Sequence, residues 1–206
     1  MADTKPASTD IVTVPNLISA ARLVLAIVLF VLIERSTHAA AFWAFVVAAS
    51  TDWVDGWYAR RFNAVSVLGR ILDPLVDKVI VCGAFILLAA RPVPGEPPPA
   101  ILPWMALVVV VRELVVTALR AELERSGRDF SAGWSGKLKM LLQCLAVGAD
   151  LVVRSGLLLP YEAAQAVVRV VAVLLAWAAV VLTVWSGVEY LAKAARLVSS
   201  PMERRT

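Results

Sequence analysis

The sequence predicts an all-α integral membrane protein with six transmembrane helices, on three observations. Of its 206 residues 60% are hydrophobic and the mean hydropathy is +0.79, more apolar side chain than a soluble core of this size absorbs. The apolar residues gather into six stretches, Leu17–Ile33, Ala40–Val54, Leu72–Ala90, Ile101–Leu119, Leu138–Val153 and Ala163–Trp185. A helix crosses hydrocarbon in roughly 20 residues at about 1.5 Å each. The third observation is that Lys and Arg crowd the segments on one side of these stretches.

Pro15-Asn16 opens the first helix, since proline suits a first helical turn. Ala39-Ala40-Ala41 resembles a signal-cleavage site, but the preceding run is longer than a signal core and holds Arg22, so a retained helix is expected. Ala40–Val54 and Leu138–Val153 are short unless each passes its polar edge, and that extension carries the second helix through Asp52 and Asp55 to Arg60. Prolines at 92, 94, 97, 98 and 99 make Arg91–Pro99 an extended loop. The stretch Glu189–Leu197, with Lys193 and Arg196 beside Leu191 and Ala195, either lies on an anionic leaflet or prolongs the last helix. No internal repeat is visible. The expected organisation is a polar tail over residues 1–13, a six-helix domain over 14–198 and a second polar tail over 199–206.

Lys5, Arg60, Arg61, Arg70, Arg125, Arg128, Lys137, Lys139, Lys193, Arg196, Arg204 and Arg205 fall on one side, against Arg35, Arg91 and Arg154 on the other. That bias predicts a multi-pass protein of the inner (cytoplasmic) membrane with both termini in the cytoplasm. Cys82 and Cys144 sit in apolar runs without metal-ligand spacing, and the single histidine, His38, excludes a His-based zinc or iron site. The net charge of +4 is modest, and no nucleic-acid partner is expected. The seven tryptophans lie mostly near the ends of the stretches, as an interfacial belt does.

Against this background stand four aspartates in the pattern Asp52-x-x-Asp55-Gly56-x-x-Ala59-Arg60, then Gly69-x-x-x-Asp73-x-x-x-Asp77. A carboxylate mid-membrane costs about 2.5–3.5 kcal/mol on insertion scales, so such residues need partners. Four cannot ionise side by side unless cations neutralise them. On helices, Asp52 and Asp55 at i,i+3 and Asp73 and Asp77 at i,i+4 each share a face. Two facing helices then offer four hard oxygen donors, which suits Mg²⁺ or Mn²⁺.

The pattern resembles, at every defined position, the signature of the CDP-alcohol phosphatidyltransferases, membrane enzymes that exchange the CMP of a CDP-linked lipid for an alcohol. Val14-Pro15-Asn16-Leu17 through Arg22 is similar to the family's opening. Asp73-Pro74-Leu75-Val76-Asp77-Lys78, Arg112-Glu113-Leu114 through Arg120, and Gly136-Lys137-Leu138-Lys139 resemble the phosphatidylglycerophosphate synthase branch. The resemblance implies a CDP-alcohol phosphatidyltransferase-like bundle, a homodimer, and two Mg²⁺ or Mn²⁺ ions on Asp52, Asp55, Asp73 and Asp77. It further implies that Asp77 takes the proton of the acceptor hydroxyl. Gly56, Gly69 and the small Ala59 would let the nucleotide approach, and Arg60 would pair with a CDP phosphate. Asn16 and Arg22 are candidates on the CDP-diacylglycerol side.

For the acceptor, Arg112 lies inside the fourth stretch with Glu113 pointing elsewhere, so it needs a partner from another element. Arg120 falls two turns on, broadly on the same side, and Lys137 and Lys139 start the fifth stretch at the same depth. Together they suit an acceptor with its own phosphate, such as glycerol 3-phosphate. The expected reaction joins CDP-diacylglycerol and glycerol 3-phosphate into phosphatidylglycerol phosphate and CMP. Alternatives are the same chemistry with another acceptor, as in a phosphatidylinositol-phosphate or cardiolipin synthase. A divalent-cation transporter is the rival from another class, but it predicts mid-membrane ligands and often repeat symmetry.

Overall fold

The computed structural model describes residues 14–62, 67–90, 97–125, 134–157 and 161–199, with side chains described throughout these ranges except at 14–16, 18, 52–62, 67–74, 124 and 197–199. Six helices follow one another, and no strand occurs among the described residues: α1 (Val14–Glu34), α2 (His38–Phe62), α3 (Val67–Ala90), α4 (Pro103–Arg125), α5 (Trp134–Arg154) and α6 (Glu162–Ser199).

Local chemistry sets the ends. At the close of α1, Ser36 adopts φ 55°, Ser36 N–H donates to Ile33 O at 3.0 Å, and Thr37 N–H reaches back to Leu32 O at 3.0 Å. This is a Schellman-type stop that spends a serine where glycine is usual. Gly156, at φ 71°, follows α5 in the same left-handed conformation. Leu102 caps α4 by accepting from Met105 and Ala106, and Pro103 takes the first helical position, where its missing N–H is harmless. The helix therefore begins two residues after the expected Ile101. Of the proline loop, residues 91–96 lie outside the described residues, and Pro97–Pro99 carry no regular structure. The stretch 189–196 continues α6 rather than forming a separate surface helix.

The main packing pairs close a ring. α1 packs on α2, α2 on α5, α5 on α6, α6 on α4, α4 on α3 and α3 back on α1, while α3 and α5 also touch across the middle. A single core cluster draws on all six helices, with Leu29, Phe45, Phe85, Met105, Val147 and Val180 among its members. The opposite surface of most helices is apolar too, with Val24, Ile86, Leu107, Leu114, Leu174 and Val181 exposed. By length and composition one helix among the described residues, Glu162–Arg196, is able to cross a membrane, and His38–Thr51 is a shorter apolar helix.

One end of the bundle is pinned by buried charge. Arg154 Nε lies 3.0 Å from Asp150 Oδ2, and its Nη2 donates to Leu88 O at 2.6 Å, where the last turn of α3 has carbonyls to spare. Ala100 N–H donates to Asp150 Oδ1 at 2.8 Å, which fixes the approach to α4.

Candidate active site

The site lies at the other end. Residues 52–62 complete α2 and 67–77 open α3, so Asp52 and Asp55 ride on one helix and Asp73 and Asp77 on the next. The side chains of Asn16, Asp52, Asp55, Gly56, Ala59, Arg60, Gly69 and Asp73 lie outside the described residues. Among the described residues no three His, Cys, Asp or Glu side chains converge on a metal-sized site. Asp77 alone of the four aspartates has a described side chain.

Asp77 forms an ion pair with Arg22 of α1, whose side chain is 3% exposed. It also lines a cavity of about 160 Å³ between α3, α4 and α5, together with Lys78, Glu113, Arg120, Lys139 and Gln143. Three cations and two carboxylates thus face one small space, a balance that admits an anion. Lys78 Nζ donates to Thr117 Oγ1 at 2.7 Å, tying α3 to α4 at the rim. An apolar cleft of about 380 Å³ between the same two helices shares Lys78, Cys82 and Glu113 with the cavity. In the wall of the smaller cavity Gln143 Nε2 donates to Thr183 Oγ1 at 3.0 Å, and Thr183 in turn donates to Ala179 O.

Of the expected acceptor residues, Arg120 and Lys139 line this cavity, whereas Lys137 is exposed. Arg112 is turned toward α6, where Nη2 donates to Ser186 Oγ at 3.0 Å and Cζ sits 5.4 Å from the Tyr190 ring centroid. Gly187 makes room for it, since a Cβ there would lie 3.2 Å from Arg112 Cγ. The expectation that Glu113 points away from Arg112 is corrected: Arg112 Nη1 lies 3.3 Å from Glu113 Oε1, which also pairs with Lys139 of α5. The two side chains leave the helix about 100° apart. Their long stems nevertheless converge, because α5 and α6 pack together and draw both ends into one seam.

A sequence model of the CDP-alcohol phosphatidyltransferase family matches residues 12–185, most of the chain. The chain belongs to that family. Among its relatives, the CDP-diacylglycerol–glycerol-3-phosphate 3-phosphatidyltransferase of Bacillus subtilis is 40% identical over 156 residues, covering 76% of this chain and 74% of the relative. The enzyme of the same name from Escherichia coli K12 is 32% identical over 190 residues, 88% of this chain and 94% of the relative. A probable phosphatidylglycerophosphate synthase of Mycobacterium tuberculosis H37Rv is 37% identical over 156 residues, 75% of this chain and 66% of the relative.

In this phosphatidyltransferase the fold brings forward residues that the sequence pattern assigned to no site. Lys78 and Gln143 line the cavity, and Glu113 bridges Arg112 and Lys139. Tyr190 of α6 meets both Arg112 and Arg120. Lys78 had a local signal, being next to Asp77. Tyr190 had none, because its partners lie some 70 residues upstream.

Proposed function

We propose that this phosphatidyltransferase transfers the phosphatidyl group of CDP-diacylglycerol to glycerol 3-phosphate, releasing CMP and phosphatidylglycerol phosphate. The observation that carries the reading is that Asp77, the last acid of the family signature, lines the same small cavity as Arg120 and Lys139. A proton acceptor and two phosphate-binding cations are then within one substrate's reach. The names of the relatives support the same acceptor.

In this reading the acceptor's phosphate lies against Arg120 and Lys139, and its free hydroxyl turns to Asp77. As the new bond forms from that oxygen to the phosphorus of the phosphatidyl group, the bond from phosphorus to the CMP oxygen breaks. The hydroxyl proton passes to an Asp77 oxygen as it leaves, since a carboxylate is too weak a base to remove it beforehand. Arg22 holds that carboxylate in orientation. Glu113 pairs with Lys139 in the cavity wall and with Arg112 behind it. The signature carboxylates, Asp52, Asp55, Asp73 and Asp77, offer hard oxygen donors on two consecutive helices, a set that fits Mg²⁺ or Mn²⁺. When bound, such ions neutralise charge developing on the phosphoryl and leaving oxygens.

The proposal also places all six helices across the inner membrane with the aspartate end cytoplasmic, and pairs two copies of the chain. The apolar outer faces of the helices and the lysine and arginine bias support the first part. The test is CMP release by purified protein given CDP-diacylglycerol, Mg²⁺ and one acceptor at a time: glycerol 3-phosphate, inositol phosphate or phosphatidylglycerol. Release with glycerol 3-phosphate alone, lost in Asp77→Asn, is the expected result. Release only with another acceptor would keep the chemistry and overturn the acceptor.

A further inference from the structure

Resting on the acceptor-phosphate reading of the cavity, we propose that Tyr190 is the positioning residue that aims Arg120 at the acceptor's phosphate. Tyr190 lies on α6, outside the cavity-lining set, and is 5% exposed. Its hydroxyl accepts a hydrogen bond from Arg120 Nη2 at 3.2 Å, and Arg120 Cζ stands 5.8 Å from its ring centroid. The same ring carries Arg112 Cζ at 5.4 Å. Arg112 and Arg120 are eight residues apart, about 12 Å along a helix. One aromatic ring therefore stands beside two guanidinium groups that mutual repulsion would separate.

The two arginines are not equivalent. Arg112 is held on three sides by Ser186, Glu113 and the ring, so it is fixed by the protein. Arg120 lines the cavity and Arg112 does not, although the buried Nε of each is without a hydrogen-bond partner among the described residues. A guanidinium whose position is set at one nitrogen while others remain available is suited to fork onto a phosphate. Without the tyrosine hydroxyl Arg120 has several rotatable bonds by which to swing toward water. The ring itself is anchored, because Tyr190 is buried in one cluster with Val116 and Leu123 of α4 and Ala194 of α6.

The experiment compares Tyr190→Phe, which keeps the ring and loses the hydroxyl, with the parent enzyme in detergent. Initial rates are measured against glycerol 3-phosphate, inositol phosphate and glycerol, with CDP-diacylglycerol varied separately. Loss of one hydrogen bond that acts on the acceptor through Arg120, at the ordinary net worth of an intramolecular bond, predicts a rise in KM for the phosphorylated acceptor of about three- to tenfold. The KM for CDP-diacylglycerol and the slow rate with glycerol, which has no phosphate, stay within about twofold by the same reasoning. In an Arg120→Gln background the Tyr190→Phe change has no further effect. A merely structural role would lower every rate together, and that outcome overturns the proposal, as does an unchanged acceptor KM. If the parent enzyme uses inositol phosphate instead, the same selective shift on that acceptor upholds Tyr190's role while overturning glycerol 3-phosphate as substrate. A parent enzyme active only with unphosphorylated acceptors overturns both.

Discussion

Arg22 of α1 and Asp77 of α3, 55 positions apart, form an ion pair at the wall of the cavity. Arg22 is almost wholly buried there, and the side chain of Asp77 is 19% exposed. Removing one partner of a buried pair leaves the other charge stranded, at a cost of about 3 kcal/mol. Arg22→Gln is therefore expected to lower the midpoint of thermal unfolding in detergent and to cut kcat at least tenfold, as Asp77 loses its orientation. Arg22→Lys keeps the charge without the planar fork, and should regain stability more fully than rate. Equal recovery of both would contradict an orienting role.

Replacement of Asp77 by Asn removes the proposed proton acceptor with little change in shape. The expected loss in kcat is about 10²–10⁴-fold, the usual range for one general base. Binding of glycerol 3-phosphate, measured by calorimetry, should change little, because Arg120 and Lys139 remain.

Divalent ions offer an independent check on the signature carboxylates. Stripping the purified enzyme with EDTA is expected to abolish CMP release, and Mg²⁺ or Mn²⁺ to restore it. Asp52→Asn, Asp55→Asn and Asp73→Asn should each raise the Mn²⁺ concentration needed for half-maximal rate. Full activity in EDTA would remove metal from the mechanism.

Gly83 tests packing away from the chemistry. A Cβ built there would overlap Phe30 Cζ and lie 2.6 Å from Cε1, so the ring of α1 points straight at the backbone of α3. Gly83→Ala forces the ring aside and should cost about 1–3 kcal/mol, typical of overpacking. Adding Phe30→Leu, which shortens the obstacle, should recover most of the loss in a thermal melt. Additive destabilisation would show that the contact is not the cause.

At the far end, Asp150 and Arg154 predict the reverse of a site phenotype. Asp150 lies eleven residues along α5 from Lys139, about 16 Å of helix rise. Asp150→Ala strands Arg154 and frees the Ala100 amide, at a cost of about 3–5 kcal/mol. Activity per folded molecule and both KM values should stay at parent levels. A shift in either KM would mean that this end communicates with the cavity.

Local pattern carried the helices and failed at their partners. Five of the six apolar stretches fall within a helix and the fourth overruns the start of α4 by two residues, while α2 runs through Asp52 and Asp55 to Phe62 as its short apolar part required. Periodicity and cost of burial act within a segment, so one segment suffices to read them. Glu113 is different: its bond to Lys139 spans 26 positions and depends on α4 and α5 facing one cavity. Tyr190 likewise looks like any apolar-helix aromatic until α6 is packed against α4. The aspartate pattern was legible through its spacing and family likeness, while the geometry of Asp52, Asp55 and Asp73 lies outside the described side chains.

The ring of helices interleaves early and late parts of the chain: α2 leans on α5, and α3 packs on α4 and α5, which both pack on α6. An N-terminal product that stops after α3 carries all four signature aspartates but no wall opposite Asp77. Lys139 and Gln143, which complete that wall, are synthesised more than 60 residues after it. Contacts so distant in sequence form late, since closing the intervening loop must come first. During translation, then, the growing chain holds its acids ready long before it has anywhere to put an acceptor. A ribosome stalled between α3 and α5 displays the whole signature and no enzyme.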